Sequence, residues 1–264
     1  MSLHRLAVKH IKRIYSSRHL LWEMTVKKIK AQYAASLTGI GVAIVNPLLL
    51  AFVIIFVFSY IIRIEIDNFP LFIISGIFPW LFFSSALFDA TMSFLVHKNI
   101  LHQFNIPKEL IPISVVFAHC FNFIVGLVVM MPFFYLLNHR VLLFIPLLAA
   151  VIILHFIFVV GLGMMFSLVN VFFRDFVSFL STIIMLWLWI TPVFYPLDFV
   201  PDKLRIIFRL NPMTSFIDCY RIIIFQGKSP SFCALIEVVL WSLVCFLTGV
   251  VFFDRFESRI LKRI

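Results

Sequence analysis

The sequence predicts an all-α, polytopic membrane protein: six transmembrane helices, an amphipathic interface helix before the first, and two short re-entrant outer helices before the last. Three observations carry this. Of the 264 residues, 63% are hydrophobic and 13% charged, whereas apolar residues supply roughly half of a water-soluble domain. The mean hydropathy is +1.10. Lys, Arg, Asp and Glu are absent from 31–62, 110–139, 141–173 and 176–197, and each run exceeds the roughly 20 residues that cross the hydrocarbon core as a helix. Lipid offers backbone amides no partners, so such runs must be helical, and they lack the alternation of an outer-membrane barrel.

Residues 1–36 read as a cytoplasmic N-terminal region. They carry Arg5, Lys9, Lys12, Arg13 and Arg18 without a closely following apolar run or small-residue cleavage site, so no signal peptide is expected. Trp22, Val26, Ile29 and Tyr33 follow at i, i+4, i+7 and i+11, within about 60° of one helix face at 100° per residue. Lys27, Lys28 and Lys30 lie outside that arc. The helix should rest in the membrane interface, aromatics at headgroup depth and lysines in water or on lipid phosphates.

The transmembrane domain covers 37–253, with spans expected at 38–62, 69–96, 111–137, 141–170, 176–197 and 231–253, and a basic tail at 254–264. An even number puts both ends on one side. With both in the cytoplasm, fifteen of the 22 basic residues lie inside, and five of the other seven share one long outer loop, as the positive-inside bias requires. Because the basic residues flank spans instead of covering a soluble face, the net charge of +10 points to anionic lipid headgroups and not to nucleic acid. Asp89 falls near the inner end of its span and Glu237 less than two turns into the last, so a proton path has little support. His119 and His155 are expected to be interhelical partners.

Two connections are more than simple loops. The inner one, 97–112, contains Pro107-Lys108-Glu109-Leu110-Ile111-Pro112, a proline-bounded turn that presents a rigid knob to a cytoplasmic partner. The outer stretch 198–230 is too charged to span and too apolar to be an open loop. Asn211-Pro212 divides it, since the residue before proline is pushed out of the helical region. Two amphipathic helices dipping into the outer leaflet fit, with any non-helical backbone there covered by protein or lining a cavity.

The chain offers no self-contained chemistry, so no catalytic or metal-binding residue is assigned. Cys120, Cys219, Cys233 and Cys245 form no CxxC pair, which argues against metal or redox work, and packing is favoured over a Cys219–Cys233 bond. Gly227-Lys228-Ser229 resembles the end of a phosphate-binding loop, but Ile222 stands where that motif needs glycine. No nucleophile elbow or H-E-x-x-H pair occurs. If the protein pumps, another chain supplies the energy.

Six passages together resemble the permease subunits of type-2 ABC exporters, and within them the O-antigen, capsule and teichoic acid group. They are 23–47; 76–83 (Gly-Ile-Phe-Pro-Trp-Leu-Phe-Phe); 99–112; 170–175 (Asn-Val-Phe-Phe-Arg-Asp); 191–196 (Thr-Pro-Val-Phe-Tyr-Pro); and Asn211-Pro212-Met213 with Tyr220-Arg221. They follow the family's order and spacing over nearly the whole chain. Three places depart: Lys28 stands where the family's Arg-Asp-Leu-Lys run has an acid, Val42 replaces a common Trp, and His102, Gln103 and Asn105 replace frequent Lys and Tyr.

The resemblance implies an exporter of lipid-linked polysaccharide in a bacterial inner membrane. It implies a homodimer with two copies of a cytoplasmic ATPase that binds ATP and Mg, this chain holding no cofactor. It makes 22–33 the interface helix and gives the ATPase contact to Asn99, Ile100, Leu101, Phe104, Pro107, Lys108 and Glu109. An outer gate is implied at Arg205, Phe208, Asn211, Pro212, Tyr220 and Arg221. Trp187, Trp189, Phe194 and Tyr195 would then stack on the apolar faces of sugars. The alternatives are an exporter of drugs or small lipids and a membrane-embedded glycosyl or acyl transferase. The latter should carry clustered intramembrane acids or histidines for base catalysis, and none cluster in the sequence.

Overall fold

The computed structural model describes residues 3–34, 66–104 and 106–260, together with 45, 48, 49, 52, 53 and 55–57. The expected first span, 38–62, falls largely outside the described residues, as do Val42, Arg63 and Asn105. The described residues form helices and no strand. In chain order they are α1 (Leu3–Ser16), α2 (Arg18–Ala34), α3 (Phe69–Val96), α4 (Lys98–Gln103), α5 (Leu110–Leu137), α6 (Ile145–Phe172), α7 (Phe176–Ile190), α8 (Asp202–Arg209), α9 (Pro212–Ile224) and α10 (Phe232–Ile260).

Four described segments are long and apolar enough to cross a membrane: Phe69–Val96, Leu110–Leu137, His139–Phe172 and Phe232–Glu257. The fifth expected span departs from its reading. It ends at Ile190, not 197, because Thr191 turns extended (φ −103°, ψ 126°) ahead of Pro192, the conformation a following proline enforces. At 15 residues α7 is about 22 Å long, short of the roughly 30 Å core. The last helix instead runs on past 253 to Ile260. The N-terminal region also holds a second helix, α1, whose Leu3, Leu6, His10 and Ile14 recur at helical spacing. Between α8 and α9 the chain breaks at Asn211-Pro212 as expected.

The chain ends and turns define two faces. One carries α1, α2, the connection after α3, the α6–α7 turn and the end of α10, and is called the basic face. The opposite face carries the 3-10 turn His139–Phe144, the end of α7, α8 and α9. Helix α3 runs through the middle and buries most of its length, from Phe69 to Phe94. Helix α6 lies between α3 and α10, where two glycines set the spacing. A Cβ on Gly161 would sit 2.3 Å from the Cys245 carbonyl oxygen, and one on Gly249 would sit 2.4 Å from the Gly161 oxygen, so the two backbones touch. Gly163 turns the other way, its Cβ position 3.0 Å from the Ala90 methyl. Where solvent gives helices no hydrophobic reason to associate, such close approach supplies the dispersion contact. Ser242 reinforces the seam by donating to the Leu154 carbonyl (2.8 Å).

Gly161→Ala or Gly249→Ala forces backbone against backbone and is expected to destabilise by about 1–3 kcal/mol. Thermal unfolding of the detergent-solubilised protein should show a lowered midpoint for both. Val128→Ala, at a position 61% exposed, should leave it unchanged.

Candidate functional site

On the basic face the chain leaves α3 through α4 and turns back into α5. Leu101 is buried, while Asn99 and Phe104 are exposed, Phe104 at 59%; the side chains of Ile100 and His102 are outside the described set. The turn closes by Leu110 N–H donating to the Pro107 carbonyl (3.1 Å) and Ile111 N–H to that of Lys108 (3.2 Å). Glu109 is fully buried and held within its own chain. Its Oε1 is 3.3 Å from His10 Nδ1 and its Oε2 3.5 Å from Arg13 Nη1. Arg13 Nη1 also lies 3.0 Å from Glu257 Oε1, and His10 Nε2 3.4 Å from Asp254. Lys108 Nζ donates to the Glu257 carbonyl (3.2 Å). A buried carboxylate is tolerable only with such partners, and here they come from α1, while Asp254 and Glu257 of α10 share the same two cationic side chains. The hydrogen bond to Glu109 raises the His10 pKa above 6.5; burial opposes it and the charge of Asp254 adds to it.

Helix α2 sits differently from its reading. Trp22 is 66% exposed, Val26 and Ile29 are half-buried, and Lys27 and Lys30 are exposed, but the side against the protein is Leu21 and Thr25. The Tyr33 side chain is outside the described set. Lys28 is half-buried and paired: its Nζ donates to Asp89 Oδ2 (2.9 Å), and His119 Nε2 is 3.0 Å from the same oxygen. Lys28 and His119 together neutralise Asp89, the one charged residue of α3. Asn122 on α5 donates to Gln32 (3.0 Å) and completes the docking of α2. His155 is likewise partnered, its Nδ1 3.4 Å from the Tyr220 hydroxyl.

On the opposite face the motif passages converge. Arg221 is buried; its Nη2 donates to the carbonyls of Pro192 (2.9 Å) and Val193 (3.0 Å), and the guanidinium stands 3.8 Å from the centroid of Phe72, a cation–π distance. Gly76 makes room, since a Cβ there would sit 3.1 Å from both Arg221 Nη2 and the Val193 oxygen. Asn211 caps α9 by accepting from Met213 N–H (3.0 Å), accepts from Trp187 Nε1 (2.7 Å) and donates to Thr191 Oγ1 (2.8 Å). Pro212 opens α9, where the missing amide hydrogen is no loss.

The two outer helices differ sharply. Helix α9 is embedded in protein, with Tyr220 fully buried, whereas no residue of α8 is buried and Ile206 is 66% exposed. Arg205 bonds its own segment, through the Val200 (3.0 Å) and Asp198 (3.1 Å) carbonyls and the Asp202 carboxylate (2.9 Å). Of the four expected channel aromatics, Trp189 is exposed, Trp187 and Tyr195 are half-buried and Phe194 is buried; Tyr195 also packs edge-on to Phe208. Gly227 adopts φ +60° with Asn138 packed against it, so the phosphate-loop-like tripeptide belongs to a tight turn after α9. All four cysteines are free.

Sequence reasoning missed Asn138, quoted Gly76 and Thr191 within motif passages without giving either a role, and singled out Asp89 without its partners. Gly76 carried a signal, a glycine inside an unbroken apolar run.

Residues 19–225 match the family described as ABC-2 type transporter. The chain belongs to this family. The match begins at α2 and ends just past α9, so it contains Arg221 with its partners and Glu109 itself, while α1, which supplies the cations around Glu109, and α10 lie outside it. Two relatives from Klebsiella pneumoniae, each an "O-antigen export system permease protein RfbA", are 34% identical over 212 residues, 79% of this chain and 81% of theirs. A Myxococcus xanthus protein of the same name is 27% identical over 243 residues, 89% of this chain and 94% of its own.

Two outcomes test these centres. Asn211→Ala strands Trp187 Nε1 and Thr191, an effect of about 1–3 kcal/mol; the melting midpoint should fall and cleavage after Lys203 in α8 should quicken, with Asn211→Asp, which keeps the acceptor, in between. Because His10 is raised in the folded state, the stabilisation it supplies is complete below pH 6.5 and lost as pH climbs through the folded value. Hydrogen exchange of α1 should therefore accelerate at alkaline pH beyond the intrinsic rate, and His10→Gln should remove that dependence.

Proposed function

We propose that this ABC-2 protein is the permease of an ATP-driven exporter that moves lipid-linked polysaccharide of the O-antigen type across a bacterial inner membrane. The observation that carries the reading is the likeness, over about four-fifths of both chains, to proteins named as O-antigen export permeases. The chain lacks a phosphate-binding loop, which assigns ATP and Mg to a separate ATPase. Six spans place both termini in the cytoplasm, 38–62 being the first and α7 with its extended tail the fifth.

Two copies enclose the path. Helix α7 buries only Leu180 and exposes Phe179, Ile183, Leu186 and Trp189, an apolar face suited to lipid on one side and a second copy on the other. Phe104 and Asn99 meet the groove of the ATPase, with Leu101 and Pro107 stiffening the turn. Lys108 and Glu109 tie that turn to α1 and α10, so that a push on the loop moves both chain ends. On the outer side α8 lies in the leaflet, and Asn211 and Arg221 link it through α9 to the end of α7, which makes this pair a gate whose movement follows the fifth span. Trp189 and Tyr195 offer sugar-stacking surface.

Depletion of the protein, followed by quantification of lipid-linked polymer on each side of the inner membrane, tests the assignment. Finished polymer should accumulate inside while the surface is stripped. Unchanged polymer on both sides would overturn the reading in favour of a small-amphiphile exporter. Phe104→Ala should weaken ATPase capture by about 2 kcal/mol, roughly thirtyfold in affinity, as read by co-purification at limiting partner concentration.

A further inference from the structure

We infer that a polar cleft between α3, α5 and α7, centred on Asp89, is a subsite that binds the hydroxyl groups of individual sugar residues as the polymer passes. This rests on the polysaccharide reading above and adds the site and the chemistry of recognition.

The cleft is a wide-open depression of about 450 Å³, within the range of about 300–1,000 Å³ typical of small-ligand sites. Ser84, Ser85 and Asp89 come from α3, His119 from α5 and Ser181 from α7. Three separate helices thus bring polar groups to one level. By the helical rise of 1.5 Å per residue, Asp89 lies about 10 Å from the basic-face end of α3, His119 about 14 Å from that of α5 and Ser181 about 8 Å from that of α7. In the proposed orientation this depth is the inner leaflet, where a polymer enters.

The groups are also left open. Asp89 Oδ2 receives both Lys28 (2.9 Å) and His119 (3.0 Å), while Oδ1 has no hydrogen bond among the described residues. Ser84 donates to the Leu81 carbonyl (3.3 Å) and Ser181 to that of Ser178 (2.7 Å), so both hydroxyl oxygens keep their acceptor capacity. Ser85 is exposed and unbonded among the described residues. A span that carries a carboxylate and adjacent serines toward a cavity departs from what lipid favours, since ionisable groups within a span face the bundle interior or a water-filled cavity.

The occupant follows from the charge. Lys28 and Asp89 neutralise one another, so a phosphate would meet a carboxylate and a lysine already engaged. A neutral polyol meets acceptors at Asp89, Ser84 and Ser181 and a donor at Ser85. Phe88, also on the cleft wall, gives a ring for the apolar C–H face of a sugar.

The test uses the full-length protein with its ATPase in polymer-producing cells. The photo-reactive residue p-benzoylphenylalanine is placed at Ser85 or Ser181, and as a control at Phe179, which is on α7 and 67% exposed. Irradiation should give glycan-bearing adducts at 85 and 181 at least fivefold above the control, absent from cells that make no polymer. Asp89→Asn and Ser85→Val should each lower surface polymer about tenfold with protein level and ATPase association unchanged. Ser85 is exposed, so its variant keeps the test decisive if Asp89→Asn fails to fold. Equal adducts at all three positions, phospholipid adducts in place of glycan, or normal export by Ser85→Val would overturn the subsite. If depletion does disturb polymer export and these results still come back negative, the subsite fails while the permease reading stands.

Discussion

The buried guanidinium of Arg221 organises the opposite face. Thr191-Pro192 ends α7 early and leaves the carbonyls of Pro192 and Val193 without helical partners. Arg221 is a cation that cannot be buried unpaired. Each deficiency answers the other, at 2.9 and 3.0 Å. For this to happen α9 must enter the protein, Phe72 must offer its ring and residue 76 must lack a Cβ. Asn211 then fixes where α9 begins and ties it to Trp187 and Thr191, leaving α8 as the one outer helix free of the core.

The basic face solves a different problem with the same physics. Glu109 begins α5 in a position that buries its carboxylate, and the chain supplies His10 and Arg13 from one end and Asp254 and Glu257 from the other to build a network around it. Both termini are thereby tied to the turn between α3 and α5. Asp89 is handled by Lys28 from α2 and His119 from α5. Each ion cluster joins an element outside the bundle to one inside it, so the helices along the surface are held by electrostatics, and the spans by close packing such as the Gly161–Gly249 contact.

This division has a mechanical consequence. Helices α6 and α10 pack backbone to backbone, α3 packs on α6 where Gly163 meets the Ala90 methyl, and the three will move as one body. Among the described residues, α7 and α8 bury little of their surface: α7 meets that body through Trp187 on Phe83 (5.1 Å) and Phe176 on Phe166 (5.3 Å) and through the hydrogen bonds of Asn211 and Arg221, and α8 is joined to it through α9. A transporter needs a rigid frame and a part that shifts against it, and the polar cleft beside Asp89 lies at the boundary between the two.

Much was legible in the sequence because hydrocarbon imposes a rule that reads along one dimension. Uncharged runs longer than a bilayer crossing must be helices, which placed α5 and α6; α3 and α10, with one acid inside each expected span, were placed by their overall apolarity, and the proline rule placed the Asn211-Pro212 break. The same proline rule, applied at Thr191-Pro192, would have shortened the fifth span, but unbroken apolarity there outweighed it. The amphipathic arc of Trp22 led to the expectation of a membrane-facing side and gave no sign that Lys28 pairs with Asp89. Partner choice was not legible, because Arg221 with Pro192, Lys28 with Asp89 and His10 with Glu109 are 29, 61 and 99 residues apart. The sequence by itself determined that the chain is helical and apolar and where its long spans from 69 to 172 lie, since burial in lipid is a local property of composition. Only the tertiary structure decided which charges are satisfied by which, because an ion pair depends on where the helices cross.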